Sequence, residues 1–204
     1  MAMTQQPNGD GRVARRDRNR VAVLDAALEL FAEDNLEPTP EQVAARSGLS
    51  LRSVYRYFED REGLLRAAID RRLETVIPLV WVEDLGEGPR EVRIERIVAS
   101  RVRLYEEAGP TARASRRRAL TNEVLRESVE RTHRTLQEQA ERQFAQELDT
   151  LAPAERDALA STIDVLLQLE SLDHLTLERD LDLDQVQHHL TFALQSLLAV
   201  VDRS

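Results

Sequence analysis

Between Thr39 and Ser50 the chain starts a helix, stops it and starts another, and no other stretch limits the fold so tightly. Thr39-Pro40-Glu41-Gln42 places Thr at an N-cap, Pro at the first helical position and Gln at the third, which is a capping-box arrangement. Gly48 then ends the helix within two turns, because a tight turn needs a residue that tolerates positive φ. Ser50 can cap a further helix from Leu51 to Phe58, and Asp60 another from Arg61 to about Ile77, where Pro78 ends it. Upstream, Val21, Leu24, Leu28 and Phe31 recur at helical spacing and give a helix to about Asp34. Short helices around a glycine turn read as a helix-turn-helix, with Ala44 small enough for close crossing and Leu49 and Val54 filling the space between helices.

The remainder reads as helix as well. Pro89 opens a helix to Glu107, and Gly109-Pro110 is expected to break it before a short basic helix bearing Arg113, Arg116, Arg117 and Arg118. A long helix is expected from Glu123 to Leu148, one from Pro153 to about Leu172, and a last one after an Asp182 cap to about Val201. The fold class is therefore all-α with about nine helices. The N-terminal part is a three-helix helix-turn-helix domain, and the C-terminal part is helical. The expected divisions are a flexible arginine-rich arm over 1–17, a helix-turn-helix domain over 18–72 and a larger helical domain over 73–204.

Charge divides along the same lines. The chain carries 28 basic residues, all arginine, against 37 acids, for a net −9. Residues 1–72 hold 12 arginines and 12 acids, so the whole deficit lies beyond them. Within that balanced part, Arg12, Arg15, Arg16, Arg18 and Arg20 cluster near the start, and Arg52 and Arg56 sit in an acid-free stretch. The absence of cysteine excludes disulfides, zinc fingers, iron–sulfur clusters and thiol catalysis. No apolar signal core leads the chain and no apolar run could span a bilayer, so a cytoplasmic protein without a membrane partner is expected.

The run from Thr39 to Ser50, followed by Ser53-Val54-Tyr55-Arg56-Tyr57-Phe58 and Leu64-Leu65, strongly resembles the tetracycline-repressor (TetR) family of transcriptional regulators. The resemblance is close over about residues 18–70, a third of the chain. It implies a sequence-specific DNA-binding regulator, a ligand-responsive repressor in the family's usual mode. It also implies double-stranded operator DNA as partner, and a homodimer through the two C-terminal helices that reads a palindromic operator. Where relatives often carry lysine at the start of the fourth helix, this chain has Arg61, preceded by Glu59 and Asp60.

Physical chemistry assigns matching roles. Arg52 can donate to guanine O6 and N7, Ser53 can reach base or backbone, and Tyr55 can pack on a thymine methyl. Thr39, Ser50 and Tyr57 offer hydroxyls to phosphate, while Arg56 and Arg61 offer charge. Arg15, Arg16 and Arg18 of the arm are expected in a minor groove or along phosphates. The fourth to seventh helices, with part of the eighth, would enclose a site for an unidentified small-molecule effector, with Trp81, Leu104, Tyr105, His133, Leu136 and Phe144 as candidate lining. The last two helices are apolar on more than one face, so they either form the centre of a monomer or pack a second copy, the latter being what the resemblance implies.

Enzymatic readings find little support. The four histidines are His133, His174, His188 and His189, and the adjacent pair cannot face one direction on a helix. Asp184 and His188 lack an apparent third metal ligand, and no phosphate loop or nucleophile elbow is present. No catalytic residue, metal or cofactor is expected. A constitutive DNA-binding or adaptor protein, its helical domain facing a protein partner, is the remaining alternative.

Overall fold

The computed structural model describes residues 10–33, 35 and 38–201. Among these, ten α-helices and no strands are found. They are α1 (Asp10–Ala32), α2 (Pro40–Ser47), α3 (Leu51–Tyr57), α4 (Arg61–Val76), α5 (Arg90–Ala119), α6 (Glu123–Gln143), α7 (Ala145–Leu148), α8 (Pro153–Leu167), α9 (Leu169–Asp173) and α10 (Leu183–Leu198). A 3₁₀ turn (Ile77–Leu79) follows α4, and a π-helical turn (His174–Glu178) follows α9. None of the helices is long and apolar enough to cross a membrane.

The capping signals act as read. Thr39 Oγ1 accepts from the Gln42 backbone N–H at 3.3 Å, and Gln42 Oε1 accepts from the Thr39 N–H at 2.8 Å, closing the box at α2. Gly48 ends α2 at φ 70°, a left-handed conformation that suits glycine. Ser50 caps α3, and Asp60 accepts from the Gly63 N–H at 2.7 Å at the start of α4. Asp182 and Gln185 form a second capping box at α10. Each such cap contributes about 0.5–2 kcal/mol to the helix it starts.

Three helix boundaries differ from the sequence expectation. First, α1 begins at Asp10, so residues 10–17 are helical rather than a flexible arm; residues 1–9 lie outside the described part. Arginine has high helix propensity and neither proline nor an interior glycine interrupts 12–32, so the helix extends beyond its apolar stripe. Second, α5 runs unbroken through Gly109-Pro110. An interior proline costs about 3 kcal/mol, but burial of Tyr105, Ala108, Gly109 and Ala114 along this stretch outweighs it. Gly109 also lies against the Tyr105 ring, and Arg72 donates to the Glu107 carbonyl at 2.6 Å next to the lost ladder bond. Third, the two long helices expected after α5 are each interrupted, at Phe144 and at Gln168. The first bend lets Gln143, Phe144, Glu147 and Leu148 all point into the core.

Val23, Leu24, Ala27, Val43, Ala44, Val54, Phe58 and Leu64 form the core of the three-helix unit with the start of α4. A larger core follows α5, which packs on α6, α9 and α10 and buries Ile94, Ile97, Val98 and Leu104 against Leu136, Phe144, Leu172 and Leu194. A small third cluster of Phe31, Ala114 and Leu125, with Leu65 and Ile69 against it, joins the two.

Two arginines of α5 lie inside the larger core. Arg93 donates to both oxygens of Glu147, at 2.9 and 2.5 Å, and to the Gln143 carbonyl at 2.6 Å. Burial pushes the Glu147 carboxyl up, but the hydrogen bonds from Arg93 and Arg90 outweigh it and hold the group below its ordinary value. Gln143 in turn spans the Arg93 carbonyl and the Gly86 N–H, which ties the loop before α5 to the α6–α7 bend. Arg101, fully buried, donates to the Gln139 side chain at 2.6 Å and the Leu136 carbonyl at 3.0 Å; burial pushes it down to about 10, so it stays charged at neutral pH.

Breaking such a buried pair from one side leaves an uncompensated charge. Glu147→Ala is expected to lower unfolding free energy by about 3–5 kcal/mol in urea titration, and Arg93→Met with Glu147→Leu to recover most of it. Because the folded carboxyl titrates low, the pair's contribution is complete above the unfolded carboxyl value and drains as pH falls through the folded one.

Candidate nucleic-acid interface and internal cavity

On α3, Val54 is buried and Phe58 caps the helix from the core side. That anchoring turns Arg52, Tyr55 and Arg56 outward, all three exposed. Their spacing of i, i+3 and i+4 puts them on one face of the helix. Tyr57 is on another face, half-buried against the three-helix core. Its hydroxyl accepts from Arg56 at 2.9 Å, and the Arg56 guanidinium stacks 5.0 Å from its ring. Burial pushes the Tyr57 hydroxyl up, but hydrogen bonds from Arg56 and Asn19 and the nearby charge of Arg16 bring it below its ordinary value.

The cap hydroxyls keep a donor for an outside acceptor. Thr39 Oγ1 is used as an acceptor by its own helix, so its O–H remains. Ser50 and Ser53 hydroxyls lie 2.9 Å apart, and one proton of the two suffices for that bond. Arg61 sits exposed at the first position of α4.

Helix α1 adds to this surface. The stripe that buries Val23, Leu24 and Ala27 continues upstream through Arg20, Asn19 and Arg16. Arg20 lies over the Phe58 ring at 5.4 Å, and Arg16 and Asn19 reach the vicinity of Tyr57. The helical overhang therefore emerges beside the end of α3, with Arg15, Arg16 and Arg18 exposed on a rigid rod. Both contacts expected of these arginines, with a minor groove and with phosphates, would be made by side chains projecting from a helix rather than from an extended arm.

A cavity of about 420 Å³ opens between α1, α4, α5 and α6. Helix α4 lines it over most of its length, from Arg61 and Glu62 through Leu65 and Ile69 to Arg72 and Val76. Three of the six residues expected at an effector site line it: Leu104, His133 and Leu136. The other three do not. Trp81 is 72% exposed on the loop after α4, where the 3₁₀ turn carries it outward. Tyr105 is buried in the core, its hydroxyl on Asp173 at 2.9 Å and Thr176 at 2.6 Å. Phe144 is fully buried at the helix bend, beneath the Arg93 guanidinium at 5.9 Å. Further wall residues not singled out from the sequence come from α1 and α4, chiefly Phe31, Leu65 and Ile69; of these, Phe31 belongs to the apolar stripe of the first helix.

At one end of the cavity, α5 and α6 converge on α9. Arg116 Nε and His133 Nε2 each lie 3.1 Å from the same oxygen, Glu170 Oε1. Arg116 and Arg113 also pair with Asp173. The hydrogen bond to Glu170 raises the His133 pKa, against opposing desolvation and the charge of Arg116, while Asp164 adds to the rise. Among the described residues, no three His, Asp or Glu side chains are close enough together to hold a metal.

Residues 23–68 match the family described as bacterial regulatory proteins, tetR family. Over 91 residues the chain is 32% identical to the HTH-type transcriptional repressor LfrR of Mycolicibacterium smegmatis, a match that spans 44% of this chain and 47% of that relative. The chain thus covers about half the length of the curated relative it matches. A tetR-family transcriptional regulator from Streptomyces coelicolor superimposes with a TM-score of 0.70 at 22% identity, over 91% of this chain and 82% of that one. A transcriptional regulator from Saccharomonospora viridis, solved in complex with choline, superimposes with a TM-score of 0.66 at 17% identity, over 88% of this chain and 96% of the other.

The His133–Glu170 pair has a testable titration. Glu170→Gln is expected to lower the His133 titration midpoint, followed by imidazole NMR. His133 stabilises the fold below its unfolded value, and that contribution is lost as pH rises through the raised folded value. Glu170, held low by His133 and Arg116 against the upward push of burial, contributes above its unfolded value and loses it as pH falls. The pair is strongest between those limits, and an unmoved midpoint in the variant would mean the contact is absent in solution.

Proposed function

We propose, for a chain whose residues 23–68 match the bacterial regulatory proteins of the tetR family, that the protein is a sequence-specific transcriptional regulator. It acts in the cytoplasm on double-stranded operator DNA, as a ligand-responsive repressor rather than an enzyme. The observation that carries this is the single exposed face of Arg52, Tyr55 and Arg56 on a helix anchored by Val54 and Phe58. A helix presented this way enters the major groove, with Arg52 in its first turn at the base edges. Thr39, Ser50, Ser53, Arg56 and Arg61 then meet the flanking phosphates, and Arg15, Arg16 and Arg18 extend that contact along the strand. Tyr57 serves by orienting Arg56. The acidic C-terminal part stays clear of the duplex, so base contacts supply much of the selectivity.

The homodimer we infer forms through α8 and α10. Ile163 and Leu167 of α8 and Leu190, Leu194 and Leu198 of α10 face the subunit's own core. Val165 at 64% exposure and Phe192 at 65%, with Val200 beyond them, remain on the outside. Large apolar side chains left exposed on two adjacent helices suit a seam with a second copy. A two-fold axis there would set two α3 helices in successive major grooves, roughly 34 Å apart, on a palindromic site.

Ligand response would run through α4, which starts at the phosphate-facing Arg61 and lines the cavity to Val76. A ligand that favours a shifted α4 weakens operator binding by its differential affinity for the two arrangements.

Fluorescence anisotropy with the DNA upstream of the protein's own gene tests the assignment. Arg52→Ala and Tyr55→Ala are each expected to weaken specific binding by about 5- to 150-fold with little change in Tm. Alanine at Arg15, Arg16 and Arg18 together should weaken binding and flatten its salt dependence, since each lost phosphate contact lowers the salt slope. Wild-type affinity in both α3 variants would sink the assignment. Separately, Phe192→Glu should convert the dimer to monomer in light scattering, and a persistent dimer would place the seam elsewhere.

A further inference from the structure

The cavity has a charge of its own, opposite to that of the domain around it. Residues 73–204 carry 16 arginines against 25 acids. Yet the charged side chains lining the cavity are Arg61, Arg72, Arg116, Arg131 and His133 against one acid, Glu62. Charges lining a low-dielectric recess act on its contents far more strongly than the same charges in water. Glu170 and Asp173, paired to Arg116 from behind the wall, offset part of this charge, and the surplus that remains favours an anion inside.

The polar end shows how such an anion would be held. Arg116 from α5 and His133 from α6 already converge on one carboxylate oxygen, Glu170 Oε1, at 3.1 Å each. Both donors line the cavity, and Glu170 stands outside its wall. Glu170 is 44% exposed and belongs to the short helix α9, so it can swing to solvent at modest cost. Ser115 and Thr132, next in sequence to these two donors, and Thr111 also line the cavity. The rest of the lining is largely apolar, with Phe31, Leu65, Leu104 and Leu136 among it. A volume of about 420 Å³ is in the range of recesses that enclose a small organic ligand, roughly 300–1,000 Å³.

We propose that the cavity binds an amphipathic monocarboxylate, its apolar body along Phe31, Leu65, Leu104 and Leu136 and its carboxylate on Arg116 and His133 in place of Glu170. The assignment builds on the ligand-sensing role above and names the chemistry of the ligand. A carboxylate seated there displaces the protein's own acid from two donors, so Glu170 is a competitor rather than a contact. Because the apolar body runs onto α1 and α4, the same molecule touches the helices that carry the DNA-facing surface.

Three probes with one alkyl tail separate the possibilities: dodecanoate, dodecyltrimethylammonium and dodecanol, each below its micelle concentration. Calorimetry on the full chain without DNA should show dodecanoate binding at least about tenfold more tightly than the other two. Arg116→Gln and His133→Gln should each weaken dodecanoate about tenfold or more, as loss of a charge-assisted hydrogen bond does, while dodecanol is unchanged. Glu170→Gln should tighten dodecanoate, since it removes the competing charge and keeps both donors. That variant decides the matter should Arg116→Gln fail to fold, because a merely structural Glu170 would give weaker binding. Equal or tighter binding of the ammonium probe, weaker dodecanoate binding by Glu170→Gln, or no binding of any probe would overturn the proposal. Operator affinity without probe reports separately on the regulator reading: normal DNA binding with no carboxylate binding rejects this inference alone. Carboxylate binding without DNA binding rejects the regulator reading alone.

Discussion

Phe31, Ala114 and Leu125 make the small apolar joint on which the arrangement of the molecule depends. Phe31 belongs to α1, Ala114 to α5 and Leu125 to α6, with Leu65 and Ile69 of α4 packed against them. Three short helices around Gly48 can build their own core, and the long helices behind them build another. This contact sets the angle between the two, and the cavity opens beside it, with Phe31, Leu65 and Ile69 also in its wall. Burying an aromatic and a leucine side chain contributes roughly 1.5–3 kcal/mol each. That is enough to define the joint and small enough for a bound ligand to alter it.

The two cores differ in how they are held. The N-terminal unit relies on caps and close crossing of small residues. Its ion pairs are exposed, as between Arg46 and Glu33, or half-buried, as between Arg71 and Asp25. The C-terminal core encloses the Arg93–Glu147 pair and Arg101, each satisfied mainly by fixed neighbours. Buried charges of this kind penalise alternative packings because any shift strands one of them. These pairs tie α5, α6 and α7 into one framework, and α4 lies between it and the three-helix unit.

Local signals in the chain were legible wherever a short-range rule governs. The Thr39–Gln42 box, the Gly48 stop, the Ser50 and Asp60 caps and the outward set of Arg52, Tyr55 and Arg56 follow from spacing and side-chain chemistry within one or two turns. The boundaries that differed are those where long-range packing overrides a local preference. Pro110 does not break α5 because the residues around it are buried against other helices. The interruptions at Phe144 and Gln168 sit in sequences with no local breaker, where core side chains reach inward only if the backbone bends.

The candidate site divides in the same way. From residues alone came an all-α chain, a helix-turn-helix near its start, a cationic surface in an acidic protein and the helix face that would read bases. Those properties depend on neighbours close in sequence. Tertiary packing removed Trp81, Tyr105 and Phe144 from the cavity, brought Phe31, Leu65 and Ile69 into it, and set Arg116 and His133 on one oxygen of Glu170. A helical pattern tells which residues leave water, but a core position and a cavity wall share that pattern. What separates them is whether the facing helix fills the space, and that depends on residues far away in the chain.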